Sequence, residues 1–184
     1  YVSSSWKKNC EEERLLGVSL TGIMDCSLTN GKMDHNQGTL ESLLQSLRDE
    51  AIKTNAELAK KIGINQSVAV TCVKPSGTVS QLVDAASGIH ARHNPYYIRT
   101  VRGDKKDPLT KMMRDAGFPI EDDNTNPSHT SVFSFPIKVD KSAVFRTDMT
   151  AIKQLELWKV YQEHWCEHKP SVTISVKENE WLEV

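Results

Sequence analysis

The sequence predicts an α/β fold. Two runs rich in strand-forming residues, 15–25 and 67–73, flank a long segment whose apolar residues have helical spacing. A strand, a helix and a second strand joined over this length are typical of a right-handed parallel crossover. The chain has 184 residues, enough for one domain with a hydrophobic core, so we expect a single domain over 1–184.

The first strand and the long helix are predicted from local pattern. Residues 15–25 predict a short buried strand that runs into a turn. From residue 40 to residue 62, apolar side chains recur every three or four positions, which predicts a long amphipathic helix. Thr39 is its expected N-terminal cap, and Gly63 is a natural stop.

Residues 67–73 are almost continuously apolar and β-branched, a pattern typical of a parallel strand covered on both faces. Cys72 inside this strand is expected to be a buried, small apolar side chain. Pro75 ends the strand, because proline has no N–H to donate to a β-ladder. A short helix is predicted at 78–86, and a strand of mixed character at 95–102.

The second half of the chain continues the alternation. Asp107 and Pro108 predict the cap and first position of a short surface helix. Residues 117–130 lack periodicity, and we expect a variable loop. A strand at 131–138, a helix at 150–164 and a strand at 171–177 follow. The helix carries an apolar stripe that we expect in the core: Ile152, Leu155, Trp158, Tyr161 and Trp165.

Charge and cysteine content limit the class of protein. Lys and Arg number 23 against 24 Asp and Glu, so no overall field favours nucleic acid or an anionic membrane as a partner. The four cysteines are scattered and form no Cys-x-x-Cys pair, which favours a reducing cytoplasm. From these residues we predict neither a secretory signal nor a membrane-spanning helix. Because it begins at Tyr1 and ends on apolar residues, we expect a piece of a longer polypeptide.

The stretch KPSGTVS, residues 74–80, joins a predicted strand to a predicted helix. A helix that starts there presents unpaired N–H groups and the positive end of its dipole, and Gly77 lets an anion approach the backbone. Ser76, Thr78 and Ser80 add hydroxyl donors. The alternative is that Ser76 only caps the helix. The stretch lacks the Gly-Lys-Ser/Thr of a P-loop, which argues against a nucleotide-hydrolysing magnesium site.

Cationic side chains follow shortly after this loop. His90, Arg92 and Arg99 are candidates for the wall of a pocket that binds a polyanion. A solvated strand edge is an equally good interpretation. His90 and His93 lack a third ligand at a recognisable spacing, so a metal pair is disfavoured.

The HWCEH stretch also resembles a zinc site only superficially. His164 and His168 share one helical face, but Cys166 points about 200° away from either histidine. We therefore expect no metal site.

Four segments, in order, carry a family resemblance: VSLTGIMD, CVKPSGTVSQLVDAASGIHARHNPYYIRTVR, VFSFPIK and PSVTISVKENEWLEV. Together they resemble the adenosylcobalamin-dependent (class II) ribonucleotide reductases, of the monomeric ribonucleoside-triphosphate reductase type. The resemblance covers most of the chain and is weakest at 40–62 and 117–130. It implies a ten-stranded α/β barrel with a central finger loop, of which this chain is the C-terminal part.

The resemblance also implies roles for residues. In that family the Pro-Ser-Gly-Thr loop holds the phosphates of the substrate nucleotide. This assigns substrate-phosphate binding to one run of residues: Ser76, Gly77, Thr78, Val79 and Ser80.

The implied chemistry is reduction of ribonucleoside triphosphates, started when cobalt–carbon homolysis of adenosylcobalamin generates a thiyl radical on a finger-loop cysteine. That cysteine lies in an Asn-Pro-Cys-Gly-Glu motif, which this sequence lacks; Cys10 has Asn and Glu neighbours but no Pro or Gly. We therefore assign no catalytic residue and expect the isolated chain to be inactive. The implied partners are a thioredoxin-like or dithiol reductant, nucleotide effectors and the remainder of the enzyme. A non-catalytic nucleotide-binding module and a truncated remnant remain alternatives.

Overall fold

The structure is a computed structural model that describes residues 1–32 and 37–184, and for Gln37 and Gly38 it describes the backbone alone. Backbone contacts group the chain into two compact units. The first comprises Tyr1–Arg92 and Ser142–Val184, and the second comprises His93–Lys141. A single domain over 1–184 stays a prediction, since two compact units can belong to one domain.

The first unit contains the predicted crossover. Strand β1 (Val18–Ser19), helix α2 (Gln37–Ile62) and strand β2 (Thr71–Cys72) follow one another, and β1 pairs with β2 in parallel. This confirms the α/β class and the parallel pairing. The burial predicted for the first strand was wrong, because both residues of β1 are exposed. Among the described strands, β2 is its one neighbour.

The helices of the first unit differ from prediction mainly at their starts. Helix α1 (Ser4–Glu13), which we did not predict, is capped by Ser3, whose Oγ accepts the Trp6 N–H at 3.1 Å. Helix α2 begins at Gln37, so the predicted cap at Thr39 was wrong: Thr39 lies inside the first turn. The predicted stop was right, since Gly63 follows the helix with φ +74°, a left-handed conformation that suits glycine.

Helix α5 (Ala151–His164) supplies much of the core and packs against α2. Thr150 caps it, with Oγ1 accepting the Lys153 N–H at 3.2 Å. Tyr161 and Trp165 are buried as predicted, whereas earlier in the helix the buried positions lie one residue before the predicted ones, so that Leu157 rather than Trp158 faces the centre. Trp158 stays half-buried because its Nε1–H donates to the Pro170 carbonyl at the edge. The core contains Ile23, Met24, Leu44, Val73, Ile89, Val144, Leu157, Tyr161 and Trp165.

Two later elements predicted in the first unit are shorter than expected or are not formed. Helix α3 (Val79–Leu82) is one turn, shorter than the predicted 78–86, and Asp84 just beyond it has φ +47°. Residues 171–177, all of which the structure describes, form no strand. A ladder needs successive backbone partners, whereas here the Ser171 N–H donates to the Val73 carbonyl and the Thr173 N–H donates to the His90 ring.

The second unit is an antiparallel sheet with one helix. Strands β3 (Tyr96–Asp104), β4 (Ile120–Asp122) and β5 (Thr130–Lys138) are arranged in the order β3-β5-β4. Helix α4 (Pro108–Asp115) is capped as predicted by Asp107, whose carboxylate accepts the Leu109 N–H at 2.8 Å.

The predicted loop at 117–130 contains β4, because Ile120 finds a register partner in Phe133. That segment is therefore not loop throughout, and its variability stays a prediction. None of the helices in the described part of the chain has the length and apolar character needed to cross a bilayer.

Candidate functional site

The loop 74–78 connects β2 to α3 at the surface of the first unit. Val73 is fully buried, whereas Gly77, Thr78 and Val79 are exposed. The strand ends here because Pro75 has no N–H, and the Lys74 N–H leaves the ladder to donate to Ser19 Oγ at 3.0 Å. The predicted strand–loop–helix junction is therefore present, with its tip in solvent.

The tip of this loop is open to a ligand. A Cβ placed on Gly77 would meet no described atom within 4 Å. Among the described residues, the N–H groups of Thr78 and Val79 have no hydrogen-bond acceptor. Unpaired N–H groups at the start of a helical turn are donors for an anion.

Ser80 belongs to the interior side of the loop. Its side chain is fully buried, and both its N–H and its hydroxyl donate to the carbonyl of Ser76. These two bonds close the loop on itself. Ser80 therefore shapes the loop and has no exposed hydroxyl to offer.

Ser76 anchors the loop to neighbouring segments through hydroxyl groups. Its Oγ lies 3.3 Å from Thr21 Oγ1 and 3.2 Å from Ser87 Oγ, and its N–H donates to Ser87 Oγ at 3.3 Å. Thr21 in turn donates to the Ala86 carbonyl. Ser76 is thus a tether between 74–78 and the segment 84–87.

A buried ion pair holds the segment 84–87. Arg92, only 7% exposed, donates Nε to Asp25 Oδ1 at 2.8 Å and Nη2 to Asp25 Oδ2 at 2.9 Å. Nη2 also donates to the Asp84 carbonyl, and Asp25 Oδ2 accepts the Ala86 N–H. The guanidinium that we proposed for a polyanion wall is therefore engaged inside the protein, where it fixes the backbone behind Ser76.

The other two predicted wall residues have different surroundings. His90 Nδ1 lies 2.8 Å from the Ser87 carbonyl, and His90 Nε2 accepts the Thr173 N–H at 3.1 Å. This network assigns the proton to Nδ1 and leaves the imidazole neutral. Arg99 is half-buried on β3. The three candidates are divided between the two units, since His90 and Arg92 belong to the first and Arg99 to the second.

The C-terminal end of α5 supports β2 rather than a metal. Trp165 is buried and donates Nε1–H to the Cys72 carbonyl at 2.8 Å. Cys166 is also buried, and desolvation raises the pKa of its thiol to about 12. Within the described ranges, no group of three or more His, Cys, Asp or Glu side chains could hold a metal ion.

Sequence reasoning missed Glu167. Its Oε2 accepts the N–H groups of Val70 and Thr71 at 2.7 and 2.9 Å and the Thr71 hydroxyl at 3.2 Å. Burial alone would raise the pKa of Glu167, but these bonds outweigh it and the pKa is lowered. Glu167 is 96 residues from Thr71 in sequence, so no local pattern could have identified the contact.

Comparison with known proteins identifies the relatives of this chain. A reductase of Euglena gracilis is 28% identical over 173 residues, which cover 92% of this chain and 23% of the relative. A reductase of Lactobacillus leichmannii is 27% identical over 194 residues, which cover 92% of this chain and 26% of the relative. Both are named adenosylcobalamin-dependent ribonucleoside-triphosphate reductase. The chain is a homologue of these reductases. It spans about a quarter of the length of the curated relatives it matches.

The fold agrees with this relationship. The crystal structure of a B12-dependent (class II) ribonucleotide reductase matches 96% of this chain with a TM-score of 0.79 and 23% identity, and the match covers 28% of that reductase. The family resemblance predicted from the four sequence segments is thus confirmed, as is the class II type. No family model matches the chain. Its position at the C-terminal end of the reductase stays a prediction.

Proposed function

We propose that this chain forms the substrate-phosphate cradle of an adenosylcobalamin-dependent ribonucleotide reductase that acts on ribonucleoside triphosphates. The observation that carries the proposal is the open loop tip, where the N–H groups of Thr78 and Val79 have no acceptor among the described residues. The homology to ribonucleoside-triphosphate reductases supports a triphosphate as the anion. We further propose that the chain is part of the ten-stranded barrel of that family and works in a reducing cytoplasm, in keeping with its free cysteines.

The residues of the loop divide into two roles in this proposal. The backbone N–H groups of Thr78 and Val79, with the Thr78 hydroxyl, face the phosphates, and Gly77 leaves room for them because it has no side chain. Ser76 and Ser80 hold the shape of the loop through their bonds to Ser87 and within the loop. Backbone donors suit this task because they are fixed before the ligand arrives and carry the positive end of the local dipole.

In the proposed reaction the radical chemistry takes place outside these residues. When bound to the complete enzyme, adenosylcobalamin would supply the radical that initiates reduction. In the described residues, one buried side-chain atom lacks a hydrogen-bond partner, Nε of Arg14. A lone guanidinium donor does not fit a corrin site, so no residue of this chain is assigned to the cofactor. The chain's own contribution is to bind the triphosphate tail and so orient the ribose.

The test is reduction of ribonucleoside triphosphates by the intact natural protein with adenosylcobalamin and a dithiol. We expect turnover by the wild type, and a KM raised at least about tenfold by Thr78→Ala combined with Gly77→Val, with little change in kcat. Thr54→Ala is the matched control, since Thr54 is exposed on α2 outside the loop. Nucleotide binding without turnover would favour the non-catalytic module instead. An unchanged KM in the double variant would reduce the loop to a structural connection.

A further inference from the structure

The first unit contains a cavity of about 450 Å³ that does not include any residue of the loop 74–78. Volumes of this size are typical of small-molecule sites. One side of the cavity is formed by the segment Arg146–Asp148, Met149 and the start of α5. The other side is formed by the segment 173–177. Its polar lining consists mainly of Arg146, Thr147, Gln154, Thr173, Ser175 and Lys177.

Gln154 has an unused acceptor in this cavity. The side chain is only 6% exposed, and its Nε2 donates to the carbonyls of Ile89 at 3.1 Å and Thr173 at 3.0 Å. Two carbonyl acceptors on one side fix the orientation of the amide, since Oε1 would be repelled there. Across the described residues, Oε1 has no donor. Because Oε1 is not one of the fully buried side-chain atoms that lack a partner, it is accessible from the cavity, and a molecule that enters with a hydroxyl group can donate to it.

The charge of the cavity is positive. The exposed Arg146 guanidinium has no acidic partner among the residues that the structure describes. Lys177 Nζ donates to the Met149 carbonyl at 3.3 Å and lies 4.0 Å from Glu180 Oε1, which is a long ion pair. No carboxylate is among the described lining residues. An anionic group is therefore attracted to the Arg146 and Lys177 side of the cavity.

His90 makes the cavity wall rigid. Both ring nitrogens are used, one with the Ser87 carbonyl and one with the Thr173 N–H. The Thr173 carbonyl is in turn held by Gln154. The cavity thus has a fixed polar frame before a ligand arrives, which reduces the entropy lost on binding.

We propose that this cavity binds a phosphate monoester that carries free hydroxyl groups, with the phosphate on Arg146 and Lys177 and a hydroxyl donated to Gln154 Oε1. The site is additional to the cradle at 74–78 and does not depend on it. A sugar phosphate and a ribonucleoside monophosphate share this chemistry. The volume accommodates either, so the experiment must separate them.

The test is calorimetric titration of the intact natural protein with ribose 5-phosphate and, separately, with a ribonucleoside 5′-monophosphate. We expect saturable binding of at least one. Methyl phosphate has the same charged group but no free hydroxyl, and we expect it to bind at least about tenfold more weakly. Arg146→Gln and Lys177→Gln should each weaken binding of the better ligand about tenfold or more. Lys53→Gln, a change at an exposed lysine on α2 outside the cavity, should leave it unchanged.

Three results would overturn the proposal. The first is no saturable binding of either ester up to about 10 mM. The second is equal affinity in the Arg146→Gln, Lys177→Gln and Lys53→Gln variants, with circular dichroism showing that all are folded. The third is loss of binding in Gly77→Val alone, which would assign the ester to the cradle and leave the proposed function standing. Conversely, if the cradle variants left triphosphate binding unchanged, the proposed function would fail, but the effect of Arg146→Gln on binding of the phosphate monoester would still test the cavity.

Discussion

The ion pair between Asp25 and Arg92 gives the sharpest prediction, because it decides what Arg92 does. We consider Asp25→Asn, Arg92→Met and the double variant. Arg92 is 7% exposed and Asp25 is 22% exposed, and two bonds of 2.8 and 2.9 Å join them. Removing one partner of such a buried pair costs about 3–5 kcal/mol, and the Asp84 carboxylate, 3.7 Å from Arg92 Nη2 but 71% exposed, replaces little of what Asp25 supplies. The partial exposure of Asp25 favours the lower end.

The expected loss of about 3 kcal/mol corresponds to a fall in Tm of roughly 6–12 °C for a chain of this length. The double variant should lose less than the sum of the single variants by about 2–3 kcal/mol, because both charges are then gone. Urea denaturation monitored by circular dichroism measures all three. Glu163→Gln is the control: its pair with Lys159 is exposed, at 3.8 Å, and should be worth less than about 0.5 kcal/mol.

Additive losses in the double variant would refute this reasoning, since they would mean that Asp25 and Arg92 do not compensate each other. A tighter affinity for a ribonucleoside triphosphate in Asp25→Asn would also refute it. In that case the released Arg92 would contact the ligand, as the sequence-based prediction of a polyanion-binding wall proposed.

Three further predictions follow from other contacts. Because the pKa of Glu167 is lowered below 4.5, its carboxylate stabilises the fold above that pH, and this stabilisation is lost as the pH falls below it. Glu167→Gln should cost about 1–2 kcal/mol near neutral pH and should remove this part of the pH dependence of stability, as measured by urea denaturation at several pH values. A Cβ at Gly103 would lie 2.9 Å from the Phe133 ring, so Gly103→Ala should cost about 1–3 kcal/mol, and an unchanged Tm would contradict the packing. With a thiol pKa of about 12, Cys166 is a thiolate in roughly 1 molecule in 10,000 near pH 8. A thiol reagent should therefore label the exposed Cys26 first, and equal labelling rates would show that Cys166 is not buried.

Much of the fold could be predicted because its signals are local. Asp107 is the cap that the sequence predicts, since a cap bonds to an N–H two or three residues away. Thr150, predicted only as the start of a helix, caps α5 in the same way. The parallel pairing of β1 with β2 followed from the order of strand and helix patterns. The strand at 171–177 was wrong for the opposite reason. Its apolar residues do alternate, but a strand forms only where a neighbouring backbone supplies successive hydrogen-bond partners. Here the Thr173 N–H donates to the His90 ring and the Ser171 N–H to the Val73 carbonyl, so no ladder forms.

The candidate site was predictable in position but not in detail. The Pro-Ser-Gly-Thr stretch marks the loop, because proline and glycine act on the backbone locally. The sequence could not separate Ser80, which faces inward, from the exposed Thr78 two residues earlier. It also could not pair Arg92 with Asp25, which lies 67 residues away. Such contacts depend on how distant segments pack, so composition and spacing do not contain them.

The most direct test of the central claim is amide hydrogen exchange in the intact natural protein, measured residue by residue with and without a ribonucleoside triphosphate. In the free protein the N–H groups of Thr78 and Val79 have no acceptor among the described residues and should exchange rapidly. The cradle predicts that the triphosphate slows exchange at these two amides by at least about tenfold, because they become donors to phosphate oxygens. Saturating triphosphate that protects amides elsewhere while Thr78 and Val79 exchange as before would contradict it.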